Sequence, residues 1–180
     1  MTAERPTLAE IAIKAVVVHT VTYFVVGILA FVTLEYSALY SDPSITGFVR
    51  QTSDPLVTAG PLFQPVRGFL FGVLFYLLRE PFFGRRNGWL LMWATLVVVG
   101  IIGPFGAAPG SLEGLICTRL PIGFQLIGLP EILIQSLFLS GLLFYWVRHP
   151  EKRWLSWVLG IAISVIILLS ALGLLAGRAG

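Results

Sequence analysis

Apolar residues in this chain run in long blocks separated by short polar or turn-forming segments, the pattern of helices that cross a membrane. A helix rises about 1.5 Å per residue and a hydrocarbon core is roughly 30 Å thick, so a span needs about 20 mostly apolar residues. Five stretches qualify: 11–39, 61–78, 88–105, 122–147 and 154–175. The first is long enough to tilt or protrude, and Pro61 suits the first turn of the second. The third is the shortest, closed by Gly103 and Pro104. Neither an internal repeat nor a low-complexity tract interrupts the series. The expectation is an all-α integral membrane protein, a single polytopic domain over 1–180 with five transmembrane helices.

Charge orients the series. Arg79, Arg85 and Arg86 follow the second block, Arg148, Lys152 and Arg153 follow the fourth, and Arg5 and Lys14 precede or begin the first. Five spans place all three clusters on one side, and the positive-inside rule makes that side the cytoplasm. The N-terminus is then cytoplasmic and the C-terminus outside, an arrangement expected of a bacterial-type plasma (inner) membrane. The opposing connections carry only Arg50 and Arg119. Trp89, Trp93, Trp146, Trp154 and Trp157 fall within a turn or two of the proposed cytoplasmic ends, where an indole keeps its ring buried and its N–H wet. The first block exceeds the apolar core of about 7 to 15 residues in a cleaved signal peptide and reads as a retained signal anchor.

Composition agrees: 57% of the 180 residues are hydrophobic, 12% are charged, and the mean hydropathy is +0.90. The net charge of +3 sits in the topogenic clusters, so it points to lipid headgroups and not to nucleic acid. One cysteine, Cys117, and two distant histidines, His19 and His149, give no metal-ligand spacing and imply no cofactor. His19 reads as a packing residue satisfied by a neighbouring helix.

Two charges lie inside apolar blocks, Arg67 in the second and Glu131 in the fourth. An ionisable residue at membrane depth costs roughly 2.5 to 3.5 kcal/mol on insertion scales and needs a partner or a task. Both blocks run inward from the outer side, and both charges fall in the outer half, at depths that let long side chains meet as an ion pair. Gln64 lies three residues before Arg67 and Gln135 four after Glu131, each on its neighbour's helix face. Gln125 completes the set, and Gly68 and Gly72 leave room for another helix to approach.

The stretch 103–131, with four prolines and repeated glycines, predicts a broken or re-entrant outer segment before the fourth helix. A short helix is expected near 111–119 with Ser111 as N-cap and Glu113 in its first turn, exposed or facing Arg67. Ile45, Phe48 and Val49 suggest an amphipathic segment on the outer interface that could join this stretch as a lid.

Three functions fit these residues. An outward-facing site could bind or transport a small polar or anionic molecule or lipid headgroup through Arg67, Glu131, Gln64, Gln125, Gln135 and Glu113. The same charges could clasp helices in a non-catalytic accessory or scaffolding subunit, with a homo-oligomer or membrane-complex partner. A lipid-modifying enzyme could use Glu131 or Glu113. No GxSxG, HExxH, Walker or GxGxxG signature is present, which favours a non-enzymatic role.

Overall fold

The computed structural model describes residues 6–179, and the side chains of 6–176. Arg5, counted above among the orienting charges, lies outside the described residues. Every regular element is helical: α1 (Leu8–Thr33), α2 (Tyr36–Leu39), α3 (Pro55–Thr58), α4 (Gly60–Leu77), α5 (Arg79–Phe83), α6 (Gly88–Thr95), α7 (Leu112–Cys117), α8 (Ile122–Ile127), α9 (Leu129–Arg148) and α10 (Arg153–Ala179). A π-helical segment, Leu96–Ile102, continues α6. Among the described residues there is no strand.

Three helices are long and apolar enough to cross a membrane: Leu8–Thr33, Ile122–Arg148 and Arg153–Ala176. These match the first, fourth and fifth apolar blocks. The second block, with Gln64, Pro65 and Arg67 in its first half, and the shorter Gly88–Ile102 do not reach that standard. The first block does not stay helical to 39. Its helix ends at Thr33, and Glu35 takes a left-handed conformation, φ 49°, that swings the chain into α2.

Helix α1 is the central post: α4, α9 and α10 all pack on it. Its closest neighbour is α4, because Gly68 and Gly72 present bare backbone to Ala12, Ala15 and Val16; a Cβ on Gly72 would stand 2.5 Å from Ala12 Cα. The apolar core gathers at the end with the basic connections, where Ile11, Ala15 and Val18 meet Phe75, Phe82, Met92, Leu139 and Leu143. Lys14 joins this end as a buried residue, donating to Glu10 Oε1 at 2.6 Å and to the Trp146 carbonyl at 3.1 Å. Trp93 and Trp146 spend their N–H groups on the Leu133 carbonyl and on Ser156 Oγ, so they also act as tertiary ties. His19 of α1, Gln64 of α4 and Gln135 of α9 meet farther along the bundle, away from Lys14.

The broken stretch is observed. Ser111 Oγ accepts from Gly114 N at 2.9 Å and caps the short α7, and α8 is offset from α9 at Gly128. Gly110, at φ 83°, brings the chain against Leu129 and the Gln125 carbonyl, where a side chain would collide. The residues around 45–49 form hydrogen-bonded turns and no amphipathic helix, as Pro43 and Gly47 within the segment favour; Ile45 is buried while Phe48 is exposed.

Candidate functional site

His19, read from sequence as a packing residue, is the hub of the polar half. It is 1% exposed on α1, with Nε2 lying 3.0 Å from Gln64 Oε1 on α4 and Nδ1 lying 3.4 Å from Gln135 Nε2 on α9. The protons can be assigned from the far end of the chain of bonds. Gln64 Nε2 donates to the Gly60 carbonyl at 3.1 Å, which leaves Gln64 Oε1 as acceptor. His19 Nε2 must then carry the proton and donate, and Nδ1 accepts from the Gln135 amide. Three helices are thus joined by a neutral imidazole with both nitrogens occupied.

Arg67 lies one helical turn beyond Gln64 along α4. Its guanidinium lies over the Phe71 ring, 5.5 Å from the centroid, and Phe71 in turn meets His19 edge-on at 5.0 Å. Among the described residues Arg67 makes no ion pair or hydrogen bond. It borders a cavity of about 340 Å³ whose lining includes His19, Gln135 and Ser136, Gly100 and Ile101 of the π-helical segment, and Ala108 and Pro109 of the broken stretch. A π turn widens the helix by one residue, and such turns recur where helices form sites.

Glu131 sits elsewhere. It accepts a hydrogen bond from the Tyr36 hydroxyl and lines a second cavity, about 220 Å³, with Tyr36, Tyr40, Phe124 and Gln125. The two cavities share Pro109 and Ile132 as a common wall. The direct Arg67–Glu131 pair suggested by the sequence is therefore not made. The reason is architectural: α4 and α9 each pack chiefly on α1, which stands between them, and polar contact across the bundle runs through His19.

The remaining predicted residues divide as follows. Gln64 and Gln135 belong to the His19 network, and Gln125 is buried beside Glu131. Glu113 joins neither cavity; it is an exposed first-turn carboxylate that accepts from the Cys117 thiol at 3.4 Å. That bond is the main cause of a Cys117 thiol held above its ordinary value. His19, read from sequence as a packing residue satisfied by a neighbouring helix, is satisfied by two of them, and Tyr36 is the site residue that sequence reading passed over. For Tyr36 there was no signal, since its approach to Glu131 depends on the turn at Glu35. Among the described residues no three His, Cys, Asp or Glu side chains are placed to hold a metal ion. No protein-family model, curated protein or solved structure matches the chain.

Proposed function

We propose that the chain is a five-span protein of a bacterial-type plasma membrane, N-terminus inside, whose outward-facing polar half binds or passes a small anionic group, free or on a lipid headgroup. Arg67 is the primary contact, Gln135 and His19 line its cavity, and Gln64 fixes the imidazole. The observation that carries this reading is an exposed guanidinium within an apolar block, bordering a cavity, without an anionic partner among the described residues. An oxyanion supplies the missing charge and can be held by two parallel N–H groups.

The test uses the full chain in phosphatidylcholine nanodiscs, with phosphatidylglycerol and inorganic phosphate as separate probes. A charge-assisted hydrogen bond contributes about 1.5 to 3 kcal/mol, so Arg67→Gln should weaken binding by roughly 10- to 100-fold while leaving the helical circular dichroism signal intact. Wild-type affinity for both probes in Arg67→Gln would overturn the reading. A second reading, a structural clasp in an accessory subunit, draws support from His19 having both nitrogens satisfied without a ligand. It predicts a stable hetero-complex on mild-detergent purification and no saturable binding of either probe.

A further inference from the structure

The Arg67 cavity runs from a buried floor to an exposed edge. His19, Leu96, Ser136 and Leu139 in its lining are buried, whereas Arg67 of α4 and Gly100 of the π-helical segment are exposed. Arg67 is the one charged lining residue among the described residues, and most of the remaining lining is apolar. The two sides of the edge belong to elements with different anchors: α4 packs on α1 and α10, and α6, which the π-helical segment continues, packs on α9. Most of the buried floor comes from α1 and α9.

Both sides of that edge carry bare apolar side chains. On α4, Phe63 and Leu70 lie at helical spacing from Arg67, on its face, and are 58% and 62% exposed. Beside Gly100, Val98 and Val99 are 61% and 58% exposed. Acyl chains cover such surface without the cost that water meets there. A free oxyanion would satisfy the guanidinium alone, and it would shed hydration at an edge whose apolar side chains return nothing. A lipid phosphate satisfies the same guanidinium while its chains cover the apolar side chains. At 1.5 Å per residue Arg67 stands roughly 10 Å along α4 from Gly60, a depth from which a long arginine side chain extends toward the headgroup level. Sites that enclose a whole small ligand measure roughly 300 to 1,000 Å³. At the small end of that range, about 340 Å³ takes a headgroup and leaves the acyl chains outside.

We infer that the ligand of the Arg67 site is an anionic phospholipid that enters sideways from the bilayer between α4 and the π-helical segment. Its phosphate lies on Arg67, and its acyl chains run against Phe63 and Leu70 on one side and Val98 and Val99 on the other. This ligand belongs to the site proposed above, so it rests on that reading and selects the lipid-borne anion over the free one.

The test places the full chain in phosphatidylcholine nanodiscs with a trace of phosphatidylglycerol, or of phosphatidylcholine, carrying a nitroxide on one acyl chain. Electron paramagnetic resonance reads the motionally restricted fraction of each. Phosphatidylglycerol should be restricted in preference to phosphatidylcholine and displaced by unlabelled phosphatidylglycerol, but not by a large excess of glycerol 1-phosphate or inorganic phosphate. Arg67→Gln should reduce the preference by about tenfold or more, and Arg67→Lys, which keeps the charge, should retain part of it. Should Arg67→Gln fail to fold, the wild-type competition still decides between lipid and free anion. Equal restriction of the two lipids, or an undiminished preference in Arg67→Gln, would overturn the inference. Displacement of the labelled lipid by either soluble phosphate, with binding that depends on Arg67, would overturn sideways lipid entry and leave the anion site standing. Absence of Arg67-dependent binding for lipid and soluble phosphate alike would remove the site itself.

Discussion

The contact between α1 and α4 positions His19 against Gln64, and it depends on two absent side chains. A Cβ on Gly68 would stand 2.7 Å from Val16 Cα, and one on Gly72 would stand 2.5 Å from Ala12 Cα. Ordinary contact begins at 3.4 Å, so the helices would have to part by about 0.7 Å for Gly68→Ala and about 0.9 Å for Gly72→Ala. Neither obstacle can swing aside, because both are backbone atoms. Forcing extra volume into a packed contact costs about 1 to 3 kcal/mol. The same separation carries the 3.0 Å His19–Gln64 bond beyond hydrogen-bonding range, adding about 0.5 to 1.5 kcal/mol. Against this, alanine is better than glycine in a helix by roughly 0.8 to 1.0 kcal/mol. The balance is a net destabilisation of roughly 0.5 to 3.5 kcal/mol for each variant. Thermal unfolding of the full chain in a single detergent, followed by tryptophan fluorescence, measures it. Gly141→Ala and Gly160→Ala are the controls, since a Cβ at either glycine meets nothing within 4 Å. They should melt at or above the wild type. If Gly68→Ala and Gly72→Ala do the same with helix content retained, the tight α1–α4 contact and the geometry built on it are wrong.

Lys14→Met removes the ammonium that bonds Glu10 and the Trp146 carbonyl, and should cost about 1.5 to 3 kcal/mol in the same unfolding measurement. Unchanged stability would return Lys14 to the simpler role of a topogenic charge. Cys117 tests both the orientation and the Glu113 contact. The proposed topology puts it outside, so a membrane-impermeant maleimide should label it in intact cells or right-side-out vesicles; labelling only from the inner face would reverse the orientation. Because the Glu113 carboxylate, with a smaller desolvation contribution, raises the thiol above 9.0, little thiolate is present at pH 8 and labelling should accelerate as pH rises through that higher value. Glu113→Gln should speed labelling at pH 8, and an unchanged rate would rule out the contact.

The sequence displays depth along each helix far better than rotation about it, and this divides what could be read from what could not. Apolar block length located the three span-length helices, and the prolines and glycines of 103–131 marked the break that yields α7, α8 and the wall around Pro109. Both signals are local, set by single residues and their immediate neighbours. Arg67 and Glu131 were assigned similar depths by counting residues, but depth alone cannot say which helix faces which. With α1 between α4 and α9, a common depth produces two cavities divided by Pro109 and Ile132 in place of one ion pair. The π-helical turn at Leu96–Ile102 was equally hidden, since its composition is that of any apolar helix. His19 marks the boundary between the two kinds of information. Its place inside an apolar block marked it as a residue that a neighbouring helix must satisfy. Only the placement of its helix between theirs makes it touch both, and the Gly60 carbonyl, by accepting from Gln64, then fixes which imidazole nitrogen holds the proton. A substitution at position 19 preserves this arrangement only if it offers a donor toward α4 and an acceptor toward α9 at the same time, so a charge of either sign in that place is not enough.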